Sequence, residues 1–334
     1  MRKLLVCPGL PRSGTTYLFK QLRHLNEEMF NPPLGKEINI FNNPISEEQF
    51  QASFARHDKE KYYIDFSPVY LIGRFPAIDN IINFSATEKK IIRCLRHPVD
   101  QLFAHYLHDI KAHHALLQFG NDVTRPLFAT STLNRYMSMR SEAYRRIIAS
   151  VGRENVFILN FHKDLAQPKL LSDRLGAFLD LPLKAFTGEM VGPGGWLPYY
   201  LYGGDHGIDV AVGSELFRVP PNMLVAVNNA ETAVWTDFRS ADAANVIAGS
   251  ATWTRFLAPA QFDILYESFR PDWEQTIRLF GLDEADFAVA DAPSSKIPEI
   301  PLVAATRHFQ RIGPALTRAN QCRFVSAVQP GSAQ

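Results

Sequence analysis

Gly9-Leu-Pro-Arg-Ser-Gly-Thr-Thr16 sets two glycines five residues apart around an arginine and closes on paired hydroxyls. Between a strand and a helix, such a run turns backbone N–H groups and the amino end of the helix toward an anion, as a phosphate-binding loop does. A loop built for ATP has a lysine after its second glycine to reach the β- and γ-phosphates, and here that position is Thr15. The cation is instead Arg12, inside the loop. That suits a ligand with one 5'-phosphate and a leaving-group bridge rather than a triphosphate. A second cation, Arg96, stands between an apolar run and Pro98. At the carboxyl end of a strand, ahead of a Pro-started helix, its charge and the helix dipole act together on a phosphate. His105, His108, His113 and His114 crowd one helical segment, where His105, His108 and Asp109 share a face. They lack the Glu-containing signature of a helical metal site, so solvated histidines or acceptor contacts are the plainer reading and no metal is expected.

These residues need a frame that brings them together. Leu4 to Cys7 is a short apolar run that stops at Pro8-Gly9, and Thr15 to Leu25 follows with Leu18, Leu22 and Leu25 at helical spacing. Tyr62 to Phe66 and Ile91 to Leu95 are further apolar runs ending at Pro-containing turns ahead of helix-like stretches, and Val156 to Phe161 repeats the pattern. Alternating strands and helices predict an α/β fold with a parallel sheet and helices on both faces. Ligands of such sheets bind beyond the carboxyl ends of the strands, where Gly9 to Thr16 and Arg96 to Pro98 both fall. Residues 131–182 read as two helices flanking the Val156 strand. From 188 to 258, Gly, Pro and aromatics such as Trp196, Tyr199, Tyr200 and Tyr202 replace periodicity, which predicts a long ordered excursion. Its aromatics suit either an acceptor or the pinning of a loop to the core. Pro259 to Leu282 reads as an amphipathic helix interrupted at Pro271, and the rest as a partly extended tail. The expected organisation is one domain over 1–286, with 188–248 an acceptor-specific insertion or lid and 287–334 an irregular C-terminal extension.

Composition bounds the partners. The 334 residues, 46% hydrophobic and 21% charged, can bury a full core. Thirty-five Lys and Arg against 34 Asp and Glu leave a net charge of +1, so no overall field draws the chain to nucleic acid or an anionic membrane, and any anion site must be local. Cys7, Cys94 and Cys322 are an odd number without metal-like spacing, and two lie in buried-strand runs, which argues against a disulfide framework. No stretch approaches the about 18 apolar residues of a membrane span, and Met1 to Cys7 is too short for the apolar core of a signal peptide. The expectation is a soluble, cytoplasmic protein.

Pro11-Arg12-Ser13-Gly14-Thr15-Thr16 resembles the 5'-phosphosulfate loop of sulfotransferases that use 3'-phosphoadenosine-5'-phosphosulfate (PAPS). Leu95-Arg96-His97-Pro98 through Tyr106 resembles their 3'-phosphate motif, in the same order and at the expected separation. The resemblance implies a P-loop NTPase-like central sheet, PAPS as donor, adenosine-3',5'-bisphosphate as product, and no metal. It puts Pro11, Arg12, Ser13, Gly14, Thr15 and Thr16 on the phosphosulfate, with Arg12 also catalytic, and Arg96 on the 3'-phosphate. Gln101 and Ala104 stand where the family has Arg and Ser. Tyr63 to Leu71 resembles the Lys-Ser-Pro strand end of the heparan-type branch, with Phe66 in place of the lysine. Phe157 to Leu165 and Leu175 to Leu181 resemble a later strand and helix. Gly249 to Gln261 resembles the loop that closes over the nucleotide, which implies Arg255 as a phosphate ligand.

Transfer of a sulfuryl group to a hydroxyl is an in-line displacement, in which a base takes the acceptor's proton while cations hold the departing phosphate. Lys36-Glu37-Ile-Asn-Ile-Phe41 resembles the Lys-Glu-X-X-Phe-Phe segment of the heparan-type branch, whose glutamate is that base. The resemblance thereby implies Glu37 in this role, and Asn39 departs from a common histidine. The expected activity is sulfuryl transfer to a hydroxyl or amine of a glycan or small-molecule acceptor. A P-loop kinase using ATP and magnesium is the rival enzyme, opposed by Thr15. A nucleotide-binding module without turnover is the third reading, suggested by Phe66, Gln101 and Ala104.

Overall fold

A computed structural model describes residues 2–71, 76–102, 104–105, 124–126, 140–188, 199–202, 208–212, 215–219, 224–227, 246–248, 259–287, 303–305 and 310–311. The chain divides into two compact units, one made of residues 1–101, 134–191 and 264–290 and the other of 102–133, 192–263 and 291–334.

The first unit is built on the apolar runs. Leu4-Leu5-Val6, Tyr62-Tyr63-Ile64, Ile91-Ile92 and Val156-Phe157-Ile158 have no polar face to show to water, so a sheet made from them must be covered on both sides. The strands are β1 (Lys3–Val6), β2 (Phe30–Asn31), β3 (Tyr62–Asp65), β4 (Glu88–Leu95) and β5 (Val156–Asn160). They form one sheet in the order β2-β3-β1-β4-β5 with every neighbouring pair parallel. The expected parallel sheet is thus present, with the short edge strand β2 added to it. Side chains alternate between its faces. Leu5, Cys7, Ile64, Phe66, Ile92, Cys94, Phe157 and Leu159 share one core cluster with Leu18 and Leu22, which follow β1, and with Leu171, Leu175 and Leu179 of a helix after β5. On the opposite face, Tyr63 meets Phe50 at a ring separation of 5.1 Å, and Arg93 lies 4.6 Å over the ring of Tyr144.

The helices that supply these residues are α1 (Thr15–Lys20), α2 (Glu47–Ala52), α3 (Ala77–Asn83), α4 (Arg140–Val151), α5 (Phe161–Leu165), α6 (Pro168–Leu179) and α7 (Pro259–Phe280). After α1 the chain continues as one wider π-helical turn over Gln21–Leu25, which leaves Leu25 only half-buried while Leu18 and Leu22 are fully buried. The interruption expected at Pro271 does not occur: α7 runs unbroken from Pro259 to Phe280. Proline removes one helical hydrogen bond. The buried stripe Leu265, Phe269, Trp273, Thr276 and Phe280 anchors the helix on both sides of it. Asp272 also caps α4, its Oδ1 accepting from the Ser141 backbone N–H at 3.0 Å and from Ser141 Oγ at 2.7 Å.

Apart from the helical residues 102, 104–105 and 259–263, the described residues of the second unit are strands. Leu224–Val227, Tyr199–Tyr202 and Val246–Ala248 form one antiparallel sheet in that order; Gln310–Arg311, Glu215–Val219 and Ile208–Val212 form another; Val303–Ala305 pairs with Thr124–Pro126. No helix among the described residues is long and apolar enough to cross a membrane.

Phe66 shows why the lysine of the resemblance is missing. It is fully buried, with its ring 5.7 Å from that of Phe19, so its position belongs to the core and has no room for a solvated charge. Phe66→Ala should cost about 3–5 kcal/mol of stability in urea unfolding, as large-to-small changes of buried phenylalanines do. A loss below about 1 kcal/mol would mean that this side of the sheet is loosely packed.

Candidate active site

The strand order reverses at β1, which has β3 on one side and β4 on the other. Chains leaving such a strand and its neighbours diverge and open a crevice at the carboxyl edge. Cys7 prolongs the pairing by donating its N–H to the Asp65 carbonyl at 2.8 Å, and the loop follows. Gly9 has φ 144°, and a Cβ there would lie 2.7 Å from the Pro68 carbonyl oxygen, so only glycine allows the chain to pass. Arg12 and Gly14 take the left-handed region at φ 64° and 93°, and α1 begins at Thr15, its first N–H groups lacking intrahelical acceptors. Arg12 is exposed, Pro11 and Thr16 are half-buried, and Ser13 and Thr15 are buried. Among the described residues Ser13 Oγ finds no hydrogen-bond partner.

Arg96 leaves β4 and turns back onto this loop. Its Nη1 donates to the carbonyl oxygen of Arg12 at 2.8 Å, its Nε pairs with Asp100, and its guanidinium carbon stands 4.2 Å from the centre of the Phe161 ring. Gln101 makes a second tie, Nε2 donating to the Pro11 carbonyl at 2.9 Å. The two segments that the sequence marks for anions are therefore bolted together by side chain to backbone bonds. His162 Nε2 lies 3.0 Å from Asp100. Burial alone would push the Asp100 carboxyl up, but the His162 and Arg96 contacts outweigh it and hold the group below the usual carboxylate value. His97, between them in sequence, is pushed down to about 4 by burial and stacks on Tyr266 at 5.6 Å, so at neutral pH it is an uncharged packing residue.

The Lys36 to Phe41 segment is hung from the end of β3. Asp65 is fully buried and accepts hydrogen bonds from the Ser67 and Tyr70 hydroxyls. Those hydroxyl oxygens in turn accept backbone N–H groups, Ser67 Oγ from Asn39 at 3.0 Å and Tyr70 Oη from Phe41 at 3.1 Å. Glu37 and Asn39 sit in the left-handed region at φ 62° and 55°, and Asn39 Nδ2 donates to the Glu37 carbonyl at 2.7 Å. The Glu37 side chain is exposed and paired with Lys36. Burial pushes the Asp65 carboxyl up to about 6; the Ser67 and Tyr70 bonds restrain the rise, and the negative charge of Glu37 adds to it.

The structure thus brings Pro11 to Thr16 and Arg96 together, and sets the Glu37 segment on the strand next to β1. Arg255, His108, His113, His114 and Trp196 lie outside the described residues, and His105 is buried. Among the described residues no group of three or more His, Cys, Asp or Glu could hold a metal ion. Sequence reasoning passed over Asp65, Ser67, Tyr70, Asp100 and His162, and took Gln101 only as a departure from the family, whereas it ties the loop at Pro11. One signal was available for the first: an aspartate ending an otherwise apolar, doubly covered strand must find donors.

No protein-family model and no curated protein matches the sequence. Among solved structures, a sulfotransferase from Alicyclobacillus acidocaldarius superposes with a TM-score of 0.54 at 15% identity, over 86% of this chain and 100% of that one. A sulfotransferase domain from the curacin biosynthetic pathway gives 0.36 at 13% identity over 55% of this chain and 76% of that one. One from the Synechococcus PCC 7002 olefin synthase gives 0.32 at 16% identity over 54% and 75%. The first likeness is one of fold, and it does not single out the heparan-type branch. The chain has the P-loop NTPase-like α/β fold of a solved sulfotransferase.

Proposed function

We propose that this chain is a sulfotransferase that moves a sulfuryl group from PAPS to a hydroxyl or amine of a glycan or small-molecule acceptor. The observation that carries the reading is the bond from Arg96 to the Arg12 carbonyl, which joins two anion-binding segments at the point where the strand order reverses. A polyanionic donor fits this edge. The loop's N–H groups and Arg12 meet the phosphosulfate, Ser13 Oγ is a buried hydroxyl without a partner among the described residues, and Arg96 stands at the strand end for the 3'-phosphate. When bound, PAPS would supply the sulfuryl group, its sulfur–oxygen bond to phosphate breaking as one to the acceptor oxygen forms. Glu37 accepts the acceptor's proton, and the loop and Arg12 hold the negative charge left on the departing phosphate. The buried Thr15 leaves no lysine to reach a γ-phosphate, which weighs against ATP as the donor.

Calorimetry should give tighter binding of adenosine-3',5'-bisphosphate than of ATP, with or without magnesium. Tighter, magnesium-dependent ATP binding would overturn the reading. Glu37→Gln keeps shape but cannot take a proton, and it should lower kcat by about 10²–10⁴-fold while leaving nucleotide affinity in place. Near-normal turnover would remove Glu37 as the base.

The Asp65 frame predicts a pH effect. A carboxyl whose folded value is raised from 3.8 to about 6 binds its proton more tightly in the native state, so its contribution to stability is present below 3.8 and is lost as pH rises through about 6. Measured by urea unfolding, the wild type should lose stability relative to Asp65→Asn between pH 4 and about 6.5. Parallel stability curves for the two proteins would show that Asp65 has an ordinary pKa.

A further inference from the structure

Arg93 is out of place in its strand. It belongs to the doubly covered part of β4, is 3% exposed, and follows the fully buried Ile91 and Ile92. Its guanidinium lies against the Tyr144 ring at 4.6 Å, but Nε and Nη1 have no hydrogen-bond partner, and among the described residues no carboxylate pairs with it. An aromatic face and the nearby Tyr144 hydroxyl return only part of what a buried guanidinium loses in leaving water, so Arg93 is a partly compensated buried cation.

The same side chain lines a narrow cleft of ≈ 20 Å³ that opens to solvent, together with Leu10, Ser13, Arg96, Arg140 and Asp272. Three guanidinium groups thus border one small space. The carboxylate among them, Asp272, is already used in capping α4, and the carboxylate of Asp100 is held by Arg96 and His162. Ser13 Oγ, buried and without a partner among the described residues, is a further donor on the cleft's loop side. Arg93 and Ser13 thus present donors to the cleft for which the described residues supply no acceptor. That composition suits a group with several negatively charged oxygens.

We propose that Arg93 forms the floor of an anion subsite, with Ser13 and Arg96 on its walls, that takes a carboxylate, phosphate or sulfate group beside the loop. This deepens the sulfotransferase reading, on which the placing of the loop's ligand rests. Two sources can bring such a group: an acidic substituent on the acceptor, which would make the acceptor an anion, or the 3'-phosphate of the donor.

The test uses the full chain and Arg93→Met, which keeps the length of the side chain without its charge. Without added anion, the variant should unfold in urea at the same or a higher concentration than the wild type, because it removes an unpaired buried charge. Inorganic sulfate should bind the wild type saturably in calorimetry, beyond an ionic-strength-matched chloride control, and Arg93→Met should bind it at least tenfold more weakly. A variant that is less stable than the wild type in the absence of sulfate, or one that binds sulfate equally well, would overturn the proposal, as would a wild type without saturable sulfate binding. Adenosine-3',5'-bisphosphate and AMP then separate the sources. A tenfold loss confined to the bisphosphate assigns the subsite to the donor's 3'-phosphate, and unchanged binding of both assigns it to the acceptor. If the wild type binds sulfate but not the bisphosphate, the donor reading fails while the anion subsite stands.

Discussion

A carboxylate cut off from water must be given hydrogen-bond donors, and Asp65 is such a group at the end of a strand paired directly to β1. Two hydroxyls meet it, and each has an oxygen lone pair left over for a backbone N–H of the Lys36 to Phe41 segment. One buried charge thereby sets the path of a loop whose two left-handed residues, Glu37 and Asn39, have little intrinsic reason to hold their conformations. The exposed pair between Lys36 and Glu37 adds little to this, since exposed ion pairs are screened. The precision of the candidate base comes from beneath it.

The neighbouring side of the crevice uses the same device with the opposite sign. Arg96 is a charge at a strand end, and it is spent partly on protein: Asp100, the Arg12 carbonyl and the Phe161 face all hold it. Gln101 repeats the tie to the loop one residue away, at Pro11. A loop with left-handed residues at Arg12 and Gly14 is kept in shape by its neighbour strand rather than by its own contacts. A ligand bound there would meet amides already in position, which lowers the entropy that binding must overcome.

The sheet of the first unit was legible because burial on both faces forces unbroken apolar runs, and those runs are visible as letters. So was the loop, whose glycines have positive φ or a close backbone neighbour. The two-residue edge strand Phe30–Asn31 is too short to leave a pattern, and its pairing with β3 is set by tertiary contact alone. In the second unit, Gly213-Ser214 stands between Ile208–Val212 and Glu215–Val219, and Val212 pairs with Glu215, although neither strand alternates strictly in polarity. The hairpin signal was there but was hidden by the surrounding glycines and prolines. Of the site, the Gly9 to Thr16 loop and Arg96, which the structure joins, could be picked out from spacing, whereas Asp65, Asp100 and His162 could not. Their roles depend on which residues the fold puts opposite them, and a single sequence does not record that.

Asp272 capping α4 joins residues 131 positions apart, and the bond from Asn160 Nδ2 to the Asp286 carbonyl, at 2.9 Å, joins residues 126 apart. The first unit is therefore closed by the chain's last quarter: Tyr144 finds Phe280, and the start of α4 finds its cap, only after α7 exists. On the ribosome the five strands emerge long before that helix, so the face bearing Arg93 and Tyr144 waits uncovered through the synthesis of about a hundred residues. Contacts of such separation close slowly, because the loop entropy is lost before the contact is gained. The nascent chain thus spends its most vulnerable interval with a half-covered sheet, and its yield in a cell depends on what shields that face until residue 280 arrives.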